Sequence, residues 1–314
     1  MGNLQQHEGF NRTFQEHKLT LGLAFPLEAY EGNFAQMDLT EQITLAQRAE
    51  ELNFAALFIR DTPLFDEHFS DAGAMYDPWV FLSYIAAKTQ KIALGAASII
   101  TTLRHPLHLA KSAASLDKIS NNRFLFGAAT GDRKIEFPAF KVDYEKRSEL
   151  FRESLEVMRE AWNQNMQPIH TARVTMQEGN LYPKPNHGTI PVLGTGYSGQ
   201  TLEWLADNMD GWLFYPQNIN SQRELVAKWH ATTPHFKPFG QMLMLDLSDR
   251  PNEAPKQIER GIRTGRTFLI DYLYAMQDIG VNHITLALKN SKRPVSEVIE
   301  ELGQYVVPKF KAHK

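Results

Sequence analysis

The sequence predicts a closed (β/α)8 TIM barrel, and three observations lead there. Eight apolar runs of strand length are spread along the 314 residues, nearly every one is followed by an amphipathic helical stretch, and the runs are continuous rather than alternating. Continuous apolar runs belong to strands buried on both faces, the condition of a parallel sheet. Eight such strand–helix units in about 250 residues are enough to close a barrel. No low-complexity linker divides the chain, so residues 1–18 are expected to form a short N-terminal extension and 19–314 a single barrel domain with loop insertions.

The elements follow in order. LTLGLAFP (19–26) is the first strand. Asp38 and Glu41 form a capping-box pattern ahead of a helix with Leu39, Ile43 and Ala46 on one face. After AALFIRD (55–61), Asp77-Pro78 places an N-cap acid before a proline at the first helical position. IALGAASII (92–100) and RFLFGAATG (123–131) are joined by the helical LHLAKSAASLDKIS. The next helix carries Phe151, Leu155, Met158 and Trp162 as a core stripe. IPVLGTG (190–196), GWLFYP (211–216), QMLMLDLS (241–248) and HITLAL (283–288) complete the strands, with Gly280 closing the helix before the last one. Residues 62–77, 164–189 and 231–240 read as loops, the first two expected to cover the barrel mouth.

Composition narrows the function classes. With 43% hydrophobic and 22% charged residues the chain is ordinary globular protein, and a formal net charge of -3 offers no basic excess for nucleic acid. No apolar run reaches the length of a membrane span, and the N-terminus is polar. The absence of cysteine excludes disulfides and thiolate nucleophiles and fits a cytoplasmic protein.

VLGTGYSGQTLEWLAD (192–207) contains G-x-G-x-x-G. A dinucleotide site would place an acid at the end of the next strand, where GWLFYP is followed by QNINSQ. Two readings remain at this point. The loop either cradles one phosphate at a helix N-terminus, through Tyr197, Ser198 and Thr201, or is a plain glycine turn with a capped helix. His105 and His108 are separated by the Pro106 turn, DEHFSD (66–71) lacks ligand spacing, and HExxH, GxSxG and the P-loop pattern do not occur, so no metal is expected. Lys289, just past the eighth strand, reads as a rim residue rather than a Schiff-base lysine. Side chains alone offer no self-sufficient machinery, which points to chemistry supplied by a cofactor.

IALGAASIITTLRHPLHLAKSAASLDKISNNRFLFGAATGD (92–132) resembles the bacterial luciferase-like, flavin-dependent monooxygenase family through L-G-x-A-x-x, the H-P turn, L-D-x-I-S and R-F-x-F-G. YEKRSELFRESLEVMREAW, PVLGTGYSGQTLEWLAD and RTFLIDYLYAMQDIGVNHITLAL are similar to later elements of the family. The resemblance implies a barrel that uses reduced FMN and O2 to oxidise a small organic substrate, with a separate flavin reductase as partner and a homodimer or homotetramer as assembly. Alternatives on the same fold are F420-dependent hydride transfer and a flavin-binding barrel without turnover; an unrelated phosphate-binding barrel enzyme such as an aldolase is a further one. By the same resemblance Ala97-Ser98, often a non-proline cis peptide in the family, supports the isoalloxazine. Gly196, Tyr197, Ser198 and Thr201 meet the flavin phosphate, while Asp61, Tyr144 and Arg147 are polar groups at the flavin. Thr130 stands where some members carry a phosphate-binding arginine. Arg60, Asp61 and His105 are the catalytic candidates around the substrate, with Phe25 and Trp212 as apolar walls. Light-emitting members have a histidine near the end of the second strand; Arg60-Asp61-Thr62 stands here instead, which points away from light emission.

Overall fold

The computed structural model describes residues 4–29, 38–66, 68 and 75–310. Its eight barrel strands are β1 (Thr20–Ala24), β2 (Ala56–Ile59), β3 (Ala93–Ile100), β4 (Phe124–Ala129), β5 (Val192–Thr195), β6 (Gly211–Phe214), β7 (Phe239–Leu247) and β8 (His283–Ala287). They run parallel in sequence order from β1 to β8, and β7 pairs with β6 as well as β8 while β8 returns to β1, which closes the barrel. Each strand is followed by a helix, so the eight strand–helix units expected from the sequence are all present.

The caps form as their residue types require. Asp38 accepts from the N–H groups of Thr40 (2.8 Å) and Glu41 (3.3 Å), and Asp77 from those of Trp79 (2.9 Å) and Val80 (3.2 Å). One pairing was not legible from sequence. Gly261–Thr264 lies parallel to β7 and antiparallel to Lys256–Ile258, a hairpin turned at Glu259 and Arg260.

Alternation along the strands divides the core. Leu21, Leu23, Leu57, Ile59 and Leu94 pack outward against the helices, whereas Ala56, Phe58, Ala93, Leu125, Leu193 and Leu213 fill the barrel axis. The N-terminal extension supplies the plug. Its helix Glu8–Thr13 delivers Phe10 and Phe14 into that axial cluster from the N-terminal ends of the strands, held by Gly9 N–H donating to Asn122 O at 3.0 Å. A Cβ on Gly9 would sit 2.5 Å from Arg123 O, so only glycine lets the two backbones meet.

The residues that carry the resemblance most strongly are scaffold at this same end. Buried Arg123 donates to Ser120 O and Ile92 O, both at 2.7 Å, and to Ala86 O and Thr89 O, both at 3.0 Å, tying the ends of two helices to the start of β3. Asp117 accepts from Asn186 N–H at 2.8 Å and faces His7 Nε2 at 3.4 Å. That contact sets the Asn186 end of the 164–189 segment beside the helix end at Asp117, and Arg173 runs along the Arg147–Trp162 helix with Leu150 O at 2.8 Å. Among the described residues none from this segment lines a cavity at the barrel mouth, which corrects its assignment as a mouth cover. The reason is topological: the segment connects a helix to the next strand, and such connections lie at the N-terminal face. Of the other proposed cover, 62–77, residues 67 and 69–74 lie outside the described residues. Among the described residues no helix is long and apolar enough to cross a membrane.

Candidate functional site at the barrel mouth

Above the plug the barrel axis is hollowed by small residues. Cβ atoms at Gly95 and Gly22 would sit 2.2 Å from the Phe58 ring and 2.8 Å from His283 Nε2, so these glycines make room for the two rings. Phe58 therefore forms a floor, and two connected chambers open over it toward the C-terminal ends of the strands, where barrel enzymes place their sites.

The inner chamber, about 110 Å³, is mostly apolar, with Phe25, Phe58, Leu213, Met242 and Met244 among its walls. The outer one, about 460 Å³, lies within the range of small-molecule sites and is polar. They share Arg60, Ala97, Thr195, Gly196, Tyr215 and Arg260. The outer wall adds Arg133 and Asp132, and Thr62. Two buried hydroxyl oxygens, Thr62 Oγ1 on the outer wall and Thr195 Oγ1 on the shared one, have no hydrogen-bond partner among the described residues. Buried hydroxyls of this kind are ordinarily satisfied, and here a ligand in the chamber would satisfy them.

Asp61 belongs to the outer wall, yet its carboxylate is already engaged. Oδ2 accepts from Ile100 N–H at 2.9 Å, and the Arg104 guanidinium grips both oxygens, at 2.9 Å on Oδ1, while also reaching Asp77 at 3.4 Å. Burial pushes the Asp61 carboxyl up, against the Arg104 charge and the Ile100 N–H. Burial likewise pulls Arg104 down, but the Asp61 charge outweighs it and the net movement is upward. With Asp61 paired to Arg104, the outer lining carries Arg60, Arg133 and Arg260 against one further carboxylate, Asp132, a basic excess suited to an anion.

Ala97 and Ser98 lie where β3 slips register against β4 between Ala96 and Ile99, and the bond between them is cis. The loop after β5 turns through positive φ at Gly196 (58°), Ser198 (49°) and Gly199 (67°), a backbone form that gathers N–H groups into anion-binding concavities. Its shape is fixed by Trp212 Nε1 donating to Gly196 O at 2.7 Å and Ser198 Oγ donating to Thr195 O at 2.9 Å. A Cβ on Gly199 would lie 2.0 Å from Ser148 Oγ, so the loop abuts the start of the Arg147–Trp162 helix.

Of the residues singled out from sequence, Arg60, Asp61, Ala97, Ser98, Thr130, Gly196 and Ser198 line the chambers together. Others do not reach them. His105 is the exposed N-cap of the Pro106–Ile119 helix, accepting from Leu107 N–H at 3.3 Å. Tyr144 packs edge-on against Phe137 and carries the Arg147 guanidinium 3.8 Å above its ring. Thr201 caps the following helix, and Tyr197 rests on Trp212 and Phe214. Trp212 is fully buried on the outer face of β6, against Trp229 and Phe239; by alternation its neighbour Leu213 supplies the wall expected of it. Arg260, Tyr215, Met242 and Thr195 were not foreseen; Lys289, read as a rim residue, lines the inner chamber. Among the described residues no group of three or more His, Asp or Glu could hold a metal ion.

The family model for luciferase-like monooxygenases matches residues 20–266. The chain belongs to this family. As a luciferase-like monooxygenase it is an oxidoreductase, and the matched range runs from β1 past the Gly261–Thr264 strand. An alkanal monooxygenase beta chain of Photorhabdus luminescens is 29% identical over 248 residues, 74% of this chain and 70% of that one. Two solved structures share the fold at TM-score 0.77: EDTA monooxygenase from Chelativorans sp. BNC1, 15% identical with 93% of each chain covered, and an F420-dependent secondary alcohol dehydrogenase, 16% identical with 94% of this chain and 100% of that one covered.

Proposed function

We propose that the protein uses reduced FMN, delivered by a separate flavin reductase, and O2 to oxygenate a small organic substrate. The observation that carries this reading is the pairing of an apolar chamber with an electropositive, hydroxyl-lined one across a shared wall, which fits a ligand that is planar and apolar at one end and anionic at the other. Bound reduced flavin would supply two electrons, so that one oxygen atom enters the substrate and the other leaves as water. In this scheme the turned backbone of 196–199 and Arg260 hold the phosphate, Ala97-Ser98 supports the ring, and Thr62 and Thr195 bind its polar edge. Asp61 acts through Arg104 to fix the end of β3. Phe25, Phe58 and Met242 keep water from the reacting centre.

Binding titrations with reduced FMN and with F420, followed by turnover under ¹⁸O2 with NADH and a flavin reductase, test the proposal. One labelled oxygen in the product is the expected result. Binding of F420 with no binding of FMN would replace the reading by hydride transfer, and peroxide as the sole product across a substrate panel would leave a barrel without oxygenase turnover.

The same reading includes a homodimer or homotetramer. The Pro78–Lys88 helix is apolar almost all round, and Val80, 70% exposed, lines its outer face with Tyr84 and Ala87. A helix of that composition is normally buried. Val80→Asp should shift sedimentation toward monomer; an unchanged profile would place the interface elsewhere.

A further inference from the structure

A buried histidine beneath the inner chamber determines what the floor can bind. His283 is wholly enclosed in the barrel axis, between Phe14 and Phe58, and its two ring nitrogens each meet one threonine. Nδ1 lies 2.7 Å from Thr20 Oγ1, and Nε2 lies 3.1 Å from Thr285 Oγ1. Burial pushes the imidazole down to about 3, so at neutral pH the ring holds a single N–H.

The Thr20 hydroxyl settles which nitrogen carries that proton. Thr20 Oγ1 is 2.5 Å from the main-chain oxygen of Thr13, which can only accept. The one proton of Thr20 must occupy that contact, since two bare oxygens at that distance repel. Thr20 Oγ1 is therefore the acceptor toward His283, and the imidazole proton sits on Nδ1. Nε2 is left as a bare lone pair. The Thr285 hydroxyl proton is then committed to Nε2, so lone pairs are all that this oxygen has to offer the chamber that Thr285 lines.

We propose that Thr285 is a fixed hydrogen-bond acceptor on the floor of the inner chamber and selects ligands whose buried end carries a hydroxyl or N–H. Around it the deep walls are Phe58, Leu213 and Met242, while the cations Arg60, Arg260 and Lys289 belong to the strand ends nearer the mouth. A ligand that inserts a carbonyl, ether or carboxylate oxygen meets lone pairs with no proton to share. A ligand that inserts a donor completes the chain Thr285–His283–Thr20–Thr13. The inference rests on the oxygenase reading only in taking the inner chamber as a ligand site.

The test uses cyclohexanol and cyclohexanone, a donor and an acceptor of nearly equal size, titrated by NMR against the full chain. The alcohol should bind about tenfold more tightly, the worth of one well-made buried hydrogen bond. Thr285→Val should bring the ratio to about one, and Thr285→Ser should retain it. The nitrogen shifts of His283 should show the proton on Nδ1 in the free protein. Equal or tighter ketone binding, a ratio indifferent to Thr285→Val, or a proton on Nε2 would each overturn the proposal. So would failure of both probes to bind, and FMN titration of the same samples tells that outcome apart from failure of the oxygenase reading.

Discussion

Glu136 lies in the short helix Glu136–Ala139, is fully buried, and its carboxylate oxygens make no well-formed hydrogen bond among the described residues. Burial is the main cause that lifts its carboxyl from 4.5 to about 7; Arg133 and the nearby Leu64 N–H oppose the rise, and the charges of Asp61 and Asp132 add to it. Between those two values the folded chain holds a proton that the unfolded chain has released, so this group makes stability fall as pH rises. The full loss, complete above pH 7 and absent below pH 4.5, amounts to roughly 3 kcal/mol. Glu136→Gln removes the titration. The buried amide brings its own cost, but that cost is independent of pH, so the observable is the change in the difference between the two proteins. Unfolding entropy of about 2.1 cal/mol/K per residue gives roughly 0.66 kcal/mol/K for a chain of 314 residues. The melting temperature of Glu136→Gln relative to the unsubstituted protein should therefore rise by about 4–5 °C between pH 4.5 and pH 8. Thermal denaturation followed by circular dichroism across that range makes the measurement. A difference that stays flat with pH would refute the reasoning, because it would mean that Glu136 titrates alike in both states.

Asp61→Asn should destabilise the fold by roughly 2–3 kcal/mol in urea denaturation, since Arg104 loses its bidentate carboxylate and keeps long contacts to Asp77 at 3.4 Å and Ile100 O at 3.5 Å with at most one neutral amide oxygen. A loss below about 0.5 kcal/mol would show that the pair contributes no more than a surface salt bridge. Phe14→Ala should cost roughly 3–4 kcal/mol by opening a cavity in the axial cluster. A cost near 1 kcal/mol would mean that the N-terminal helix seals the barrel without Phe14.

Much of the fold was legible because strand and helix periods differ and because caps are chemically specific. Asp38 and Asp77 cap the helices their positions implied. The Lys256–Thr264 hairpin was not legible, because its turn uses Arg260 at φ 53° where glycine or asparagine would normally announce it. Arg260, a cation shared by both chambers, was lost with it. The candidate site was readable where backbone form is dictated by residue type, as at Gly196 and Ser198, and at the strand ends Arg60, Asp61 and Ala97. Direction was harder. Trp212 and Leu213 are adjacent and both apolar, and only the phase of the pleat says which one faces the axis. His283 sits inside HITLAL and looks like one more core residue, since its two threonine partners become neighbours only when β8 closes against β1.

The plug of Phe10 and Phe14 makes the barrel a cul-de-sac. Whatever reaches the floor at Phe58 enters and leaves at the C-terminal ends of the strands, past Arg60, Arg260 and Lys289. A ligand seated on that floor therefore turns only its mouth-side end to a second reactant, and the shape of the protein rather than relative affinity decides which end that is.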